Sequence, residues 1–235
     1  TVAQWLFVAF AFAMAWELAS MLRMHQLLRL SLMFDIALFA IPAPLVVEME
    51  LLAGFSLWPV FLALATLIAF FVWKITSNRL AALFTALLLL CILSAREILG
   101  FYGGHLTLLS VAAAVAGCDV AAYFVGRHVG GPRLAPVISP KKTRSGAIGG
   151  LVGAVLVTMV VGGYNSLSVA EAILAGCCIA ILAQSGDLLE SALKRNLAIK
   201  DSGNLIPGHG GFLDRFDGYL LTLPALYLYM EWVGT

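Results

Sequence analysis

The stretch LAALFTALLLLCIL, Leu80–Leu93, decides the fold class. It is continuously apolar, without the alternation over about ten residues that marks a strand of a membrane β-barrel. It therefore reads as a membrane-spanning helix. Its surroundings agree. The 235-residue chain is 62% hydrophobic and only 11% charged, with a mean hydropathy of +0.99. Soluble domains are about 45–50% apolar and about 25% charged. A soluble globular protein, a disordered chain, a disulfide scaffold and a typical nucleic-acid binder are all excluded.

Working outward from Leu80–Leu93, a span of about 20 apolar residues recurs along the chain. Segments are expected at about 4–22, 31–47, 55–73, 80–99, 105–126, 147–167, 170–190 and 218–233. The second carries Asp35, Pro42 and Pro44 and reads as kinked or broken. The first has no basic region before it, so it reads as a span, not as a cleavable signal. Basic residues test the count, because Lys and Arg collect on the cytoplasmic side. Arg23 and Arg29 follow the first segment, and Lys74 and Arg79 follow the third. Arg127, Arg133, Lys141, Lys142 and Arg144 follow the fifth. Lys194, Arg195, Lys200 and Arg215 follow the seventh. Of the 14 Lys and Arg residues, only Arg96, beside Glu97, falls on the other side. The expectation is an all-α polytopic membrane protein with about eight transmembrane helices and both termini outside. Two long connections, about 127–146 and 191–217, face the cytoplasm. Residues 1–104 form an N-terminal group of helices, and 105–235 carry the chemistry.

Cys91, Cys118, Cys177 and Cys178 form no Cys-x-x-Cys pair and read as small apolar side chains. Gly149–Gly153 and Gly162–Gly163 suit close helix packing better than ligand binding. Glu17 and Asp35 lie in apolar spans; pairing with Arg23 or Arg29 and lining a path for lipid are both open.

The second long connection reads, with its flanks, SGDLLESALKRNLAIKDSGNLIPGHGGFLDRFDGY, Ser185–Tyr219. Asp187 lies near the end of an apolar span, where a carboxylate is costly and should have a partner or a task. On a continuing helix Ser191, Lys194 and Arg195 share its stripe. Lys200 and Asp201 precede a break at Ser202-Gly203. Pro207-Gly208-His209-Gly210-Gly211 cannot be regular helix, and its exposed N–H groups suit a phosphate. Asp214 and Asp217 share a face at the start of the last span. Carboxylates beside a basic, Gly-rich loop point to Mg²⁺ holding a polyphosphate. A solvated loop that only sets topology or binds anionic lipid would explain the bases, but not the acids and the glycine turn.

The pattern Ser191-x-Leu-Lys194-Arg195, Lys200-Asp201-x-Gly203 and Pro207-x-His209-Gly210-Gly211-x-x-Asp214-Arg215-x-Asp217 resembles the signature of the phosphatidate cytidylyltransferases, the CDP-diacylglycerol synthases. GCDVAAYFVGR, Gly117–Arg127, and LAPVISPKKTRSG, Leu134–Gly146, resemble two further segments of that family. Arg144 and Ser145 stand where it commonly has an aromatic and then a polar or acidic residue, and Gly218 replaces a usual Ser.

The resemblance implies the reaction of CTP with phosphatidate to give CDP-diacylglycerol and pyrophosphate, in a bilayer, without nucleic acid. It also implies a bacterial inner-membrane enzyme with a cytoplasmic site, a homodimer, and Mg²⁺ with a second, monovalent cation such as K⁺. Asp187 and Asp214 are the implied metal ligands, with Asp217 beside them. Lys194, Arg195, Lys200 and Arg215 are expected to neutralise phosphates, with Asp201 in the same catalytic set. His209 shapes the loop or donates a hydrogen bond. Ser139, Lys141 and Lys142 are expected to hold the lipid phosphate or the CTP tail, with ordinary topology-setting charges as their alternative. Asp119 is a site residue or an interhelical polar contact. Tyr123 is a lipid contact or packing. Ser191, Gly210 and Gly211 complete the substrate-binding set. Cytidylyl transfer to another lipid phosphate, a CTP-using lipid kinase and a membrane transporter are the competing readings.

Overall fold

A computed structural model describes residues 2–26, 29–30, 32–33, 36, 58–101, 103–162, 167–203, 205 and 210–233. Asp35, Pro42, Pro44 and His209 lie outside the described residues, as does most of the second expected span. The described chain is mostly helical. Its elements are α1 (Val2–Met21), α2 (Trp58–Thr76), α3 (Arg79–Gly100), α4 (Gly104–His128), β1 (Arg133–Ala135), β2 (Ser139–Thr143), α5 (Arg144–Gly162), α6 (Val169–Asn196), a 3₁₀ turn (Leu213–Arg215) and α7 (Tyr219–Val233). Among the described residues, five helices, α2 to α6, are long and apolar enough to cross a membrane. The chain is thus an integral membrane protein by length and composition. In α1 the apolar stretch Trp5–Met21 is shorter than those five, and α7 has 15 residues with Pro224 inside it.

Local chemistry sets the helix ends. Asn78 caps α3, its side chain accepting from the N–H groups of Leu80 at 3.0 Å and Ala81 at 3.2 Å. Ser168 and Glu171 form a reciprocal capping box at the start of α6. Thr143 accepts from Gly146 N–H at 3.0 Å and starts α5. Lys194 and Arg195 sit in the last turn of α6, where they complement the helix dipole.

The first long connection is not irregular. Helix α4 runs on to His128, and β1 pairs antiparallel with β2 to make a small hairpin. Gly130 and Gly131, at φ of 64° and 105°, turn the chain out of the helix. Ser145 donates to the Gly130 carbonyl, and Arg144 N–H to Pro132 O at 2.9 Å. Both tie the end of the hairpin back to its beginning.

The chain divides into two compact units. The first comprises residues 103–192 and 217–222. Helices α4 and α5 pack through small residues here. A Cβ on Gly149 would lie 2.5 Å from that of Val125, and one on Gly153 would lie 2.5 Å from that of Ala121. The backbones therefore approach more closely than any larger residue permits. Fully buried Cys118, Ala154 and Ala180 join α4, α5 and α6, and Gln184 on α6 donates to Ala147 O at 3.2 Å. The second unit comprises residues 1–102, 193–216 and 223–235. It packs α2 against α3 and buries Ala11, Ala15, Leu18 and Ala19 of α1. Arg96, buried on α3, is paired with Glu97 and lies over the Phe61 ring at 4.6 Å. None of the four cysteines forms a disulfide; Cys91 and Cys118 are buried, whereas Cys178 is exposed.

Candidate functional site

In the first unit the hairpin meets the signature helix. Lys142 on β2 donates to Asp187 on α6, and both side chains are half-buried. Ser191 lies one turn on and donates to the other Asp187 oxygen at 3.4 Å. Asp217 precedes α7. A Cβ on Gly186 would lie 2.4 Å from the Asp217 carbonyl, and one on Gly218 would lie 2.9 Å from Val115. These two glycines let the 217–218 backbone lie against α6 and α4. Burial pushes the Asp217 carboxyl up from 3.8 to about 7, and the charges of Asp187 and Asp119 act in the same direction. Gly218 N–H, donating at 2.6 Å, and the Lys142 charge oppose that rise. Asp119 on α4 thus belongs electrostatically to the same cluster. Tyr123, one turn beyond it, is exposed and accepts from Arg127 at 2.8 Å. Ser139 and Lys141 lie on β2, with Lys141 exposed.

The second unit holds the rest of the signature. Lys194 donates to Asp214 Oδ1 at 2.5 Å. Asp214 Oδ2 accepts from two backbone N–H groups, Ser202 at 3.0 Å and Gly211 at 2.9 Å. One carboxylate thereby gathers the lysine and both sides of the 202–211 segment. Gly210 has a φ of 82°, and a Cβ there would lie 3.2 Å from Asp214. Arg195 donates to Ile199 O at 3.4 Å. Lys200, Asp201 and Arg215 are exposed.

Glu17 went unassigned to the site in the sequence, and the structure gives it partners in the signature segment. It is 1% exposed on α1. Its Oε2 accepts from Leu213 N–H at 2.7 Å and Ser202 Oγ at 3.0 Å, and Arg23 and Arg29 are not its partners. An isolated acid in an apolar helix was the available signal. Its partners lie 185 and 196 residues away in the chain, so spacing could not name them.

Among the described residues, no three His, Cys, Asp or Glu side chains are placed to hold a metal ion by themselves. Mg²⁺ does not require that, because it takes one or two carboxylates and completes its shell with phosphate oxygens and water. Asp187, with two further acids acting electrostatically in its unit, is a donor set that fits such a shared ion.

The model of the cytidylyltransferase family matches residues 1–233. A phosphatidate cytidylyltransferase of Brucella suis is 46% identical over 130 residues, which are 54% of this chain and 47% of that protein. One of Bacillus subtilis is 45% identical over 111 residues, 46% of this chain and 41% of the relative. An uncharacterised Escherichia coli protein, YnbB, is 37% identical over 131 residues, 55% and 44% of the two chains. The chain spans about half the length of the curated relatives it matches.

Proposed function

Because the chain belongs to the cytidylyltransferase family, we propose that it transfers CMP from CTP to phosphatidate at the cytoplasmic face of a bacterial inner membrane. The products are CDP-diacylglycerol and pyrophosphate. The observation that carries this reading is the Lys142–Asp187 pair, which joins the basic hairpin to the signature helix across 45 residues of sequence. Two named phosphatidate cytidylyltransferases among the relatives support the choice of substrate.

A non-bridging oxygen of the lipid phosphate attacks the α phosphorus of CTP. A new P–O bond forms there as the bond to the α–β bridging oxygen breaks, and pyrophosphate leaves with that electron pair. Both reactants are anions, so the protein must neutralise and align them. Lys142 and Lys194, each held by a carboxylate, are assigned to phosphate oxygens. Arg195, Lys200 and Arg215 add positive charge, and Gly210 and Gly211 offer backbone close to the ligand. Asp187 and Asp214 are assigned to hold Mg²⁺, with Asp217 in support. When bound, that ion neutralises charge developing on the pyrophosphate leaving group. A phosphate monoester with a second pKa of about 6 is largely ionised at neutral pH, so no strong general base is required.

The test incubates the purified full chain with α-labelled CTP and a panel of phosphatidate, other lipid phosphates and diacylglycerol. Labelled CDP-diacylglycerol with equimolar pyrophosphate is expected. Preference for another lipid phosphate, or phosphoryl transfer onto an alcohol, overturns the reading.

A further inference from the structure

We propose that Glu17, on the N-terminal helix and outside the signature, is a positioning residue that holds Ser202 and Leu213, the two ends of a signature segment, and through them Asp214 and Lys194. The proposal rests on the reading of that segment as part of the reaction centre. Glu17 grips both sides of the segment at once, taking the Ser202 hydroxyl and the Leu213 N–H on a single oxygen. Asp214 grips the same two sides through the N–H groups of Ser202 and Gly211, and carries Lys194 on its other oxygen. A continuous hydrogen-bonded line therefore runs Glu17, Ser202, Asp214, Lys194.

Two glycines of the signature are explained by this acid. A Cβ on Gly203 would lie 2.7 Å from Glu17 Oε1. One on Gly211 would lie 2.7 Å from Glu17 Oε2 and 1.8 Å from Ser202 Oγ. Space that any other side chain would fill is occupied by a carboxylate from α1. Phe10, two helical turns before Glu17 and on the same face, adds a second hold. Its ring lies 5.3 Å from that of Phe212 and 5.9 Å from that of Phe216. Burying a carboxylate is costly, and among the described residues Oε1 finds no hydrogen-bond donor. An acid kept under those terms has a task, and its contacts define the task as fixing this segment.

The experiment uses the full chain in detergent or vesicles, with kinetics, thermal melting and amide hydrogen exchange on each variant. Displacement of a catalytic group by about 1 Å can cost about 100-fold in rate. Glu17→Ala is expected to lower kcat by about 50-fold with KM for CTP within about threefold. Exchange should rise at 202–203 and 210–214 and stay unchanged in α4. Glu17→Gln keeps an acceptor in place and should restore kcat to within about fivefold of wild type. Leu18→Ala, at the adjacent buried position, should lower the melting temperature but leave kcat per folded molecule within about twofold. Wild-type kcat in Glu17→Ala, no rescue by Gln, or an equal kcat loss in Leu18→Ala overturns the proposal. If Glu17→Ala does not fold, Ser202→Ala breaks the same line, and unchanged kcat there overturns it. If wild type transfers no CMP at all, the proposed function fails. The exchange pattern still decides the role of Glu17, and no increase at 210–214 rejects it.

Discussion

Lys142 and Asp187 illustrate how the few charges of this chain are used. Each is half-buried, and each supplies the counter-charge that makes the other tolerable there. In the proposed reaction a phosphate ligand with its metal would offer both groups new partners of the right sign. Asp187→Asn and Lys142→Ala are each expected to lower kcat/KM for CMP transfer by about 100-fold or more, the scale of losing one preorganised electrostatic contact. Steady-state assays with folded protein check this, and activity within threefold of wild type contradicts the assignment. Asp217 carries a pH prediction. Its carboxyl is pushed up from 3.8 to about 7. A group that holds its proton more tightly when folded stabilises the fold most below its unfolded value. That contribution is lost as pH rises through the folded value. Metal-free protein should therefore lose stability between pH 4 and 7 through this group. Asp217→Asn should flatten the loss and melt higher than wild type at pH 8. A melting curve unchanged by the substitution across that range refutes the prediction.

Among the elements, α4 and α5 meet through glycines that leave no room for a Cβ. Its glycines are packing residues, as the sequence suggested for Gly149–Gly153. Gly149→Leu and Gly153→Leu overpack it and are expected to cost about 1–3 kcal/mol or more. Ile148→Ala, on the exposed side of the same helix, should change stability by no more than about 0.5 kcal/mol. Melting temperatures of the three variants measure this directly. The helices themselves were legible in sequence. The run expected at about 80–99 is α3, Arg79–Gly100, and that expected at about 105–126 is α4, Gly104–His128. The hairpin was not. Ser139–Thr143 contains Pro140 and two lysines and has no alternating apolar signal, so it becomes a strand only by pairing with Arg133–Ala135.

At the scale of the whole molecule, charge asymmetry predicts orientation. Val137, at the hairpin tip, is 88% exposed. A Val137→Cys variant with its four native cysteines removed should react with an impermeant maleimide in inverted membrane vesicles but not in intact cells. Labelling of intact cells would reverse the topology. Chelation should abolish CMP transfer and added Mg²⁺ restore it; turnover that persists under EDTA would remove the metal from the mechanism.

The amino-acid sequence by itself determined the membrane class and the positions of the five apolar helices, and its densest motif is where the chemistry is proposed. Each rests on a local property: continuous apolar runs, scarce charge, and a dense motif at fixed spacing. Tertiary structure alone decided which charges meet. Lys142 finds Asp187 across 45 residues, and Glu17 finds Ser202 and Leu213 across 185 and 196. No periodicity encodes such pairs, because they form only when packed helices bring distant segments together and buried polar groups must be satisfied there.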